Sequence, residues 1–401
     1  MSVVSRVRVT GPLERYARGF AAELEGLGYT PLSAANQVRL MAHLSRWLAT
    51  ESVDPGELNS EGLQAFLAAR SGQGYTCWLS QRGLAPLVSY LRGRAVVPAL
   101  TLPAPLGPVE ELLAEYRTYL VGERGLVKST VRGYEAEARL FLTRRTGGDL
   151  QDLTAGEVSR FMVAECGTRS TGSAKILVTA LRSLLRWLLL TGRVDVDLAQ
   201  VVPGVAGWRL SSLPRALGPD QVRALLACCD RGRSSGRRDY AILTVLVRLG
   251  LRAAEVAAME LDDVDWRAGE VIVRGKRNQR DRLPLPVDVG EALVAYLRQD
   301  RPGPGGCRRV FVRVRAPRGP LTPSGVQSVV KGACTRAGIT PAGAHRLRHT
   351  AATAVLQAGA SLEEVAQLLR HRDLTSTAIY AKVDQARLRT LARPWPVGGV
   401  S

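Results

Sequence analysis

The sequence predicts a mainly α-helical chain with a small β-sheet near its C-terminal end, and three observations carry that expectation. Apolar residues recur at helical spacing through most of the 401 residues. One pair of short β-rich runs, "GEVIVRG" and "DRLPLPV", flanks the polar turn "KRNQR" in the manner of a hairpin. Two proline- and glycine-rich seams then divide the whole: "VVPALTLPAPLGP", with Pro98, Pro103, Pro105 and Pro108, and "PGVAGWRLSSLPRALGP", from Pro203 to Pro219. Neither seam sustains a helix, because proline lacks the N–H and clashes with the preceding turn. The expected organisation is a helical bundle over 1–97, a linker over 98–108, a second bundle over 109–202, a linker over 203–216 and a mixed block over 217–401.

The first two blocks read as copies of one another. "ELNSEGLQAFLAAR" resembles "DLTAGEVSRFMVAE" at an offset of 95, pairing Leu58 with Leu153, Leu63 with Val158 and Phe66 with Phe161. Upstream, "SAANQVRLMAHLSRWLA" and "STVRGYEAEARLFLT" both place apolar residues at helical spacing after a Ser or Thr suited to capping. Each block is therefore expected to be a bundle of about four helices.

Charge narrows the partner. The chain carries 55 Lys+Arg against 36 Asp+Glu, a formal net charge of +19, which points to a polyanion. Only five of those cations are lysines, so phosphate would be met mostly by guanidinium groups, which bind it in bidentate fashion. Six cysteines show neither a C-x-x-C pair nor a histidine at ligand spacing, which argues against a disulfide framework or a zinc site and fits a reducing cytoplasm. The N-terminal "MSVVSRVRVTGPLERY" lacks an apolar signal core, and the apolar run "ILVTALRSLLRWLLLTG" is interrupted by Arg182 and Arg186, so no membrane segment is expected.

Candidate chemistry falls in the last block. In "RLGLRAAEVAAMELDDVDW", Arg252 heads a helix with Glu255 one turn on, which reads either as an ordinary helical ion pair or as a guanidinium held in place for use. Lys276 sits at the tip of the hairpin, either a solubilising turn residue or an amine poised above a groove. In "GAHRLRHTAATAVLQAG", His345 and Arg348 lie three apart on one helical face, fit to grip one phosphate. His345 and His349 lie four apart, a metal-binding spacing, yet no acidic residue stands between them as in H-E-x-x-H. In "SLEEVAQLLRHRDLTSTAIYAKV", an amphipathic helix ends at His371, and Tyr380 follows nine positions later as either a core aromatic or a nucleophile.

Taken in order, these residues resemble the catalytic boxes of the tyrosine recombinase family, the phage integrases and Xer-type recombinases. The family pattern is an arginine in Gly-Leu-Arg-x-x-Glu, a hairpin lysine after glycine, a His-x-x-Arg box, a second histidine and a tyrosine nine residues on. Here Arg252 with Glu255, Lys276 after Gly275, His345 with Arg348, then His371 and Tyr380 match it. The departures are Arg277 where a second glycine is common, Arg370 in place of the usual glycine before the histidine, and Arg372 at a typically small position. None removes a catalytic side chain.

The resemblance implies a tyrosine-recombinase catalytic fold over 217–401, preceded by a core-binding, SAM-like domain over 109–202 and by its possible duplicate over 1–97. It implies that Tyr380 attacks a DNA phosphodiester to leave a 3′-phosphotyrosyl link, with Arg252 and Arg348 stabilising the charge that builds on the non-bridging oxygens. His345 and His371 would supply hydrogen bonds, His345 as the favoured base, and Lys276 would protonate the departing 5′ oxygen. No metal, ATP or other cofactor is then required. Double-stranded DNA carrying a specific site is the implied partner, with a tetramer of this chain, alone or with related recombinases, as the assembly for strand exchange. The extra N-terminal block favours a mobile-element integrase over an Xer-type dimer resolvase. A type IB topoisomerase and a non-catalytic DNA-binding regulator are the remaining alternatives.

Overall fold

The structure, a computed structural model, describes residues 7–98, 107–145, 148–206, 215–275, 279–301, 307–371 and 377–383. Lys276, Arg277 and Arg372 lie outside the described residues, as does most of the first seam. The described residues form a predominantly helical chain with one three-stranded sheet, in agreement with the fold class expected from sequence. Two compact units result, one combining 1–99 with 212–401 and the other spanning 100–211.

The N-terminal residues fold as α1 (Ala17–Gly26), α2 (Pro31–Thr50), α3 (Ser60–Gly72) and α4 (Gln81–Gly93). Helix α2 begins before Ser33, because Thr30 caps it and Pro31 supplies a fixed φ at the first helical position. Asn59 caps α3 and Ser80 caps α4 through side-chain oxygens. Phe20, Leu44, Phe66 and Leu87 meet in a core of their own. Within the same unit, the Arg318 N–H donates to the Leu27 carbonyl at 2.7 Å. Gly28, at φ +79°, permits that approach, since a Cβ there would fall 2.4 Å from the Arg318 side chain.

The other unit holds α5 (Pro108–Gly122), α6 (Lys128–Arg144), α7 (Ala155–Thr168) and α8 (Thr171–Leu190). Helix α6 starts without a side-chain cap, at Val127 rather than at Ser129. Helix α7 starts with a reciprocal Thr154–Glu157 capping box. Its core gathers Tyr116, Phe141 and Trp187, and the Tyr116 hydroxyl donates to Ser183 at 2.9 Å. In α8, Leu181, Leu184, Leu185 and Leu188 face that core while the Arg182 guanidinium reaches the Val202 carbonyl at 2.7 Å. No helix among the described residues is long and apolar enough to cross a membrane. The paired positions of the two bundles occupy similar places: Leu58 and Leu153 are buried just before the caps of α3 and α7. Phe66 meets Trp47 edge-on at 5.8 Å, and Phe161 meets Phe141 edge-on at 5.0 Å.

The C-terminal residues build α9 (Pro219–Ala227), α10 (Ser234–Leu249) and α11 (Ala253–Ala258), then β1 (Val264–Asp265), β2 (Glu270–Arg274) and β3 (Arg280–Pro284). Helices α12 (Val287–Gln299), α13 (Pro323–Arg336), α14 (Ala344–Gln357) and α15 (Leu362–Leu369) follow, and a 3₁₀ turn covers Ala378–Val383. The sheet is antiparallel in the order β1-β2-β3, with Val271 opposite Leu283 and Arg274 opposite Arg280. Sequence reading expected β2 and β3 but not β1, which at two residues is too short to show a period. Helix α10 is the spine: Ile242 and Leu246 are fully buried in one cluster with Leu293 and Tyr296 of α12 and Leu347 of α14.

Candidate active site

The site begins where α10 stops. Gly250 terminates that helix in the left-handed region at φ +59°, and a Cβ there would sit 3.0 Å from Leu369 and 3.4 Å from Ala351. This close packing turns the Gly250 carbonyl toward α14, where it accepts from Arg348 Nη1 at 2.6 Å. Arg348 Nη2 donates to the Leu369 carbonyl at the end of α15, so two backbone oxygens from different elements fix one guanidinium. Arg348 is 2% exposed, and no carboxylate lies within ion-pair distance of it among the described residues. Burial, reinforced by the neighbouring Arg252 cation, pulls its pKa down to about 10, so it remains charged at neutral pH.

Arg252 caps α11 and is organised by Glu255. One carboxylate oxygen accepts the Arg252 backbone N–H at 2.8 Å, and the other accepts from its guanidinium at 2.7 Å. Glu255 is buried whereas Arg252 is largely exposed, so a held cation faces outward. The oxygen that takes the Arg252 N–H also accepts from Arg370 Nη2 at 2.7 Å. Sequence reading treated Arg370 only as a departure from a usual glycine. Its backbone explains the glycine preference, since Arg370 adopts φ +52° at the end of α15. Arg370 also stands 3.7 Å from Asp281, linking α15 to the hairpin. An open cleft of 730 Å³ between β3 and α15 is lined by Arg280, Arg282, Arg370 and His371.

Tyr380 rides on the 3₁₀ turn and is 2% exposed, packed among Ala352, Leu356, Val365 and Leu369. Its hydroxyl lies 2.7 Å from His349 Nδ1, a partner that sequence reading had considered only for the metal spacing. The sequence places His349 one turn after His345 on α14, but its contact with Tyr380 is set by how the turn after α15 packs on α14. The His345 and His349 rings meet edge-on at 4.5 Å. His371 instead pairs with Thr377 Oγ1 at 2.8 Å, tying the end of α15 to the start of the tyrosine turn. The structure thus brings Arg252, Glu255, His345, Arg348, His371 and Tyr380 into one electrostatic neighbourhood. Lys276 lies outside the described residues, and the last backbone pair before it is the Gly275 N–H to the Gln279 carbonyl at 2.8 Å. Among the described residues no group of three His, Cys, Asp or Glu is placed to hold a metal ion.

The protonation pattern follows from the crowd of cations. Burial, then the His345 and Arg348 charges, depress His349 to about 4. Burial, then Arg348 and Arg252, depress His371 to about 4 as well. His345 is lowered in the same direction by desolvation first and by Arg348 and Arg252 next. Burial raises Tyr380 to about 12 although Arg348 pulls the other way. At neutral pH the phenol is therefore protonated and His349 is a neutral base beside it. Because the two histidines bind protons more weakly folded than unfolded, the unfolded state takes up more protons between pH ~6.5 and ~4, and stability falls as pH drops through that window. Thermal unfolding between pH 7 and 5 is expected to show this loss, with His349→Gln flattening it; an unchanged slope in the variant overturns the assignment.

Comparisons with known proteins identify the family. The phage integrase family pattern matches residues 215–387. A chain named integrase/recombinase y4rA from Sinorhizobium fredii (strain NBRC 101917 / NGR234) is 41% identical over 393 residues, covering 96% of this chain and 95% of that one. Tyrosine recombinase XerD of Listeria innocua serovar 6a is 30% identical over 289 residues, covering 70% of this chain and 97% of that one. Among solved structures, a lambda integrase tetramer bound to a Holliday junction matches with a TM-score of 0.55 at 18% identity, covering 73% of this chain and 80% of that one. With a near full-length relative at that identity, and with the buried arginine, the histidine pair and the tyrosine gathered as described, the chain belongs to the phage integrase family and is a tyrosine-type site-specific recombinase.

Proposed function

We propose that Tyr380 is the nucleophile that cleaves a DNA strand and holds it as a 3′-phosphotyrosyl link until a new strand end replaces it. The observation that carries this reading is Arg348: a buried cation anchored by two carbonyls and lacking a carboxylate among the described residues, close to a buried phenol. Such a cation is costly to bury unless an anion completes it, and a scissile phosphate is an anion of the right shape for a guanidinium. The Tyr380 oxygen attacks phosphorus, the bond to the 5′ oxygen breaks, and the phenol proton passes to a neutral imidazole. The 2.7 Å contact favours His349 for that proton over His345. Arg252 and Arg348 stabilise the added negative charge, Glu255 holds Arg252, His371 hydrogen-bonds the phosphate, and Lys276 protonates the departing oxygen. Bond energy is kept in the phosphotyrosyl link, so rejoining needs no external energy source.

The target is double-stranded DNA with a specific site, bound by the arginine-rich surfaces of 109–202 and 217–401, and the working assembly is a tetramer, as in the lambda integrase structure on a Holliday junction. Integration for a mobile element is favoured over chromosome-dimer resolution, because the XerD relatives are accounted for by about 70% of this chain and leave a further block unassigned. The reading is tested by exposing the full chain to a library of nicked suicide duplexes randomised over the cleavage core. The expected product is a nucleotide adduct mapped by mass spectrometry to the Tyr380 peptide. An adduct on another residue, or none where a relative recombinase is captured, overturns it.

A further inference from the structure

A second buried guanidinium without a carboxylate beside it among the described residues lies in the N-terminal bundle. Arg70, near the end of α3, is only 5% exposed. One of its nitrogens donates to the Cys77 carbonyl at 3.3 Å, whereas its Nε and Nη1 are buried with no hydrogen-bond acceptor. No carboxylate lies within ion-pair distance of it among the described residues. Leaving a charged group buried and incompletely bonded costs several kcal/mol on the order of that for a broken ion pair, so a fold that keeps one has either a compensation or a use.

The compensation within the chain is partial. The ring of Tyr75, itself 40% exposed, stacks over the guanidinium at 4.2 Å, and the Phe66 ring is 5.9 Å away. A cation on an aromatic face gains about 0.5–2 kcal/mol, which does not satisfy two N–H groups. The neighbours then add charge of the same sign. His43 of α2 meets Tyr75 edge-on at 5.0 Å, and exposed Arg46, one turn further on, lies 3.4 Å from His43 Nδ1. Burial holds His43 below its ordinary value, and the Arg70 and Arg46 charges beside it push it further down.

The loop that covers this cluster has an unusual backbone. After Gly74 at φ +83°, Trp78 takes φ +62° with 40% of its surface exposed. A bulky side chain in the left-handed region is strained by about 1–3 kcal/mol, and such strain gathers at ligand sites. The half-exposed Tyr75 ring thus covers a concealed cation, and strained Trp78 lies three residues further along the same loop.

We infer that Arg70, with Arg46 and His43 beside it, is a phosphate seat for the backbone of duplex DNA, opened by displacement of the Tyr75 ring. The inference rests on the DNA-acting reading above and places a specific contact in the N-terminal bundle. With Nη2 held by the Cys77 carbonyl, the Nε and Nη1 N–H groups point to different sides of the guanidinium, so each is open to one charge-assisted hydrogen bond with a phosphate oxygen rather than to a bidentate fork. The seat carries no base-reading group of its own, so it positions the bundle on DNA without specifying sequence.

The test uses the full-length protein and a long mixed-sequence duplex, titrated over a range of salt concentrations. Arg70→Met is expected to lower the log–log salt slope by about one unit, the share of one phosphate contact. Arg46→Gln, on an exposed residue that leaves the core intact, is expected to lower it by a smaller amount in the same direction. Arg70→Met is also expected to keep or raise the melting temperature of the free protein, because it removes an incompletely bonded buried charge. A purely structural Arg70 makes the opposite pattern, a lower melting temperature with an unchanged slope, and that result overturns the seat. If Arg70→Met does not fold, Arg46→Gln and Arg70→Gln decide, and unchanged slopes in both also overturn it. Wild-type protein that fails to bind the duplex at all refutes the DNA-acting reading instead, so the two failures are distinguishable.

Discussion

Tyr380→Phe is expected to eliminate covalent capture of DNA, a loss of at least ~10⁴-fold, while DNA affinity stays within about a factor of two. Only one oxygen is removed. The ring keeps its packing among Ala352, Leu356, Val365 and Leu369, so the turn that carries it should persist. The variant does lose the hydroxyl contact with His349, a cost of about 0.5–1.5 kcal/mol in stability. Gel shift for binding and denaturing electrophoresis for protein–DNA adducts separate the two quantities. Adducts that survive in the Phe variant move the nucleophile elsewhere and remove the basis of the mechanism.

Arg348→Met should produce the second-largest effect, a fall of about 10²–10³-fold or more in single-turnover cleavage, as for loss of one preorganised charge-stabilising donor. Its effect on stability is expected to be small by comparison. The Gly250 and Leu369 carbonyls lose donors, at about 1–3 kcal/mol each, but a buried cation without a carboxylate disappears, which offsets much of that cost. Arg348→Lys restores charge but cannot span both carbonyls and should recover only part of the rate. The variants are compared by rapid-quench cleavage alongside melting temperature. A large drop in melting temperature with cleavage per folded molecule unchanged makes Arg348 a structural pin only.

Much of this arrangement is visible in the linear order of residues. The hairpin betrays itself by two β-rich runs around a polar turn, and β2 and β3 form where those runs lie. The boxes around Arg252 and Arg348 are local, since Glu255 sits one turn from its arginine, and local spacing survives in a string of letters. What the string conceals is tertiary. That the Tyr380 hydroxyl meets His349 depends on how the turn after α15 is laid against α14, a relation set by packing across 31 positions. The missing acceptors of Arg70 are invisible for the same reason, because an unsatisfied group is defined by what the fold fails to bring near it. Grouping of residues 1–99 with 212–401 is likewise unreadable from the proline-rich seam, which signals a break in helix but not which neighbour the bundle joins.

Arg370 has a bearing on how this chain tolerates change. Where glycine occupies a left-handed position, the site asks nothing of its surroundings. An arginine there carries a backbone penalty of about 1–2 kcal/mol, offset here by the grip of its guanidinium on Glu255. The residue that steadies Arg252 and the residue that ends α15 are therefore mutually contingent: each alters which substitutions the other position can accept. Such epistasis makes the glycine and arginine versions of this corner two separate local solutions, between which a lineage passes most easily by steps that keep the Glu255 carboxylate partnered throughout.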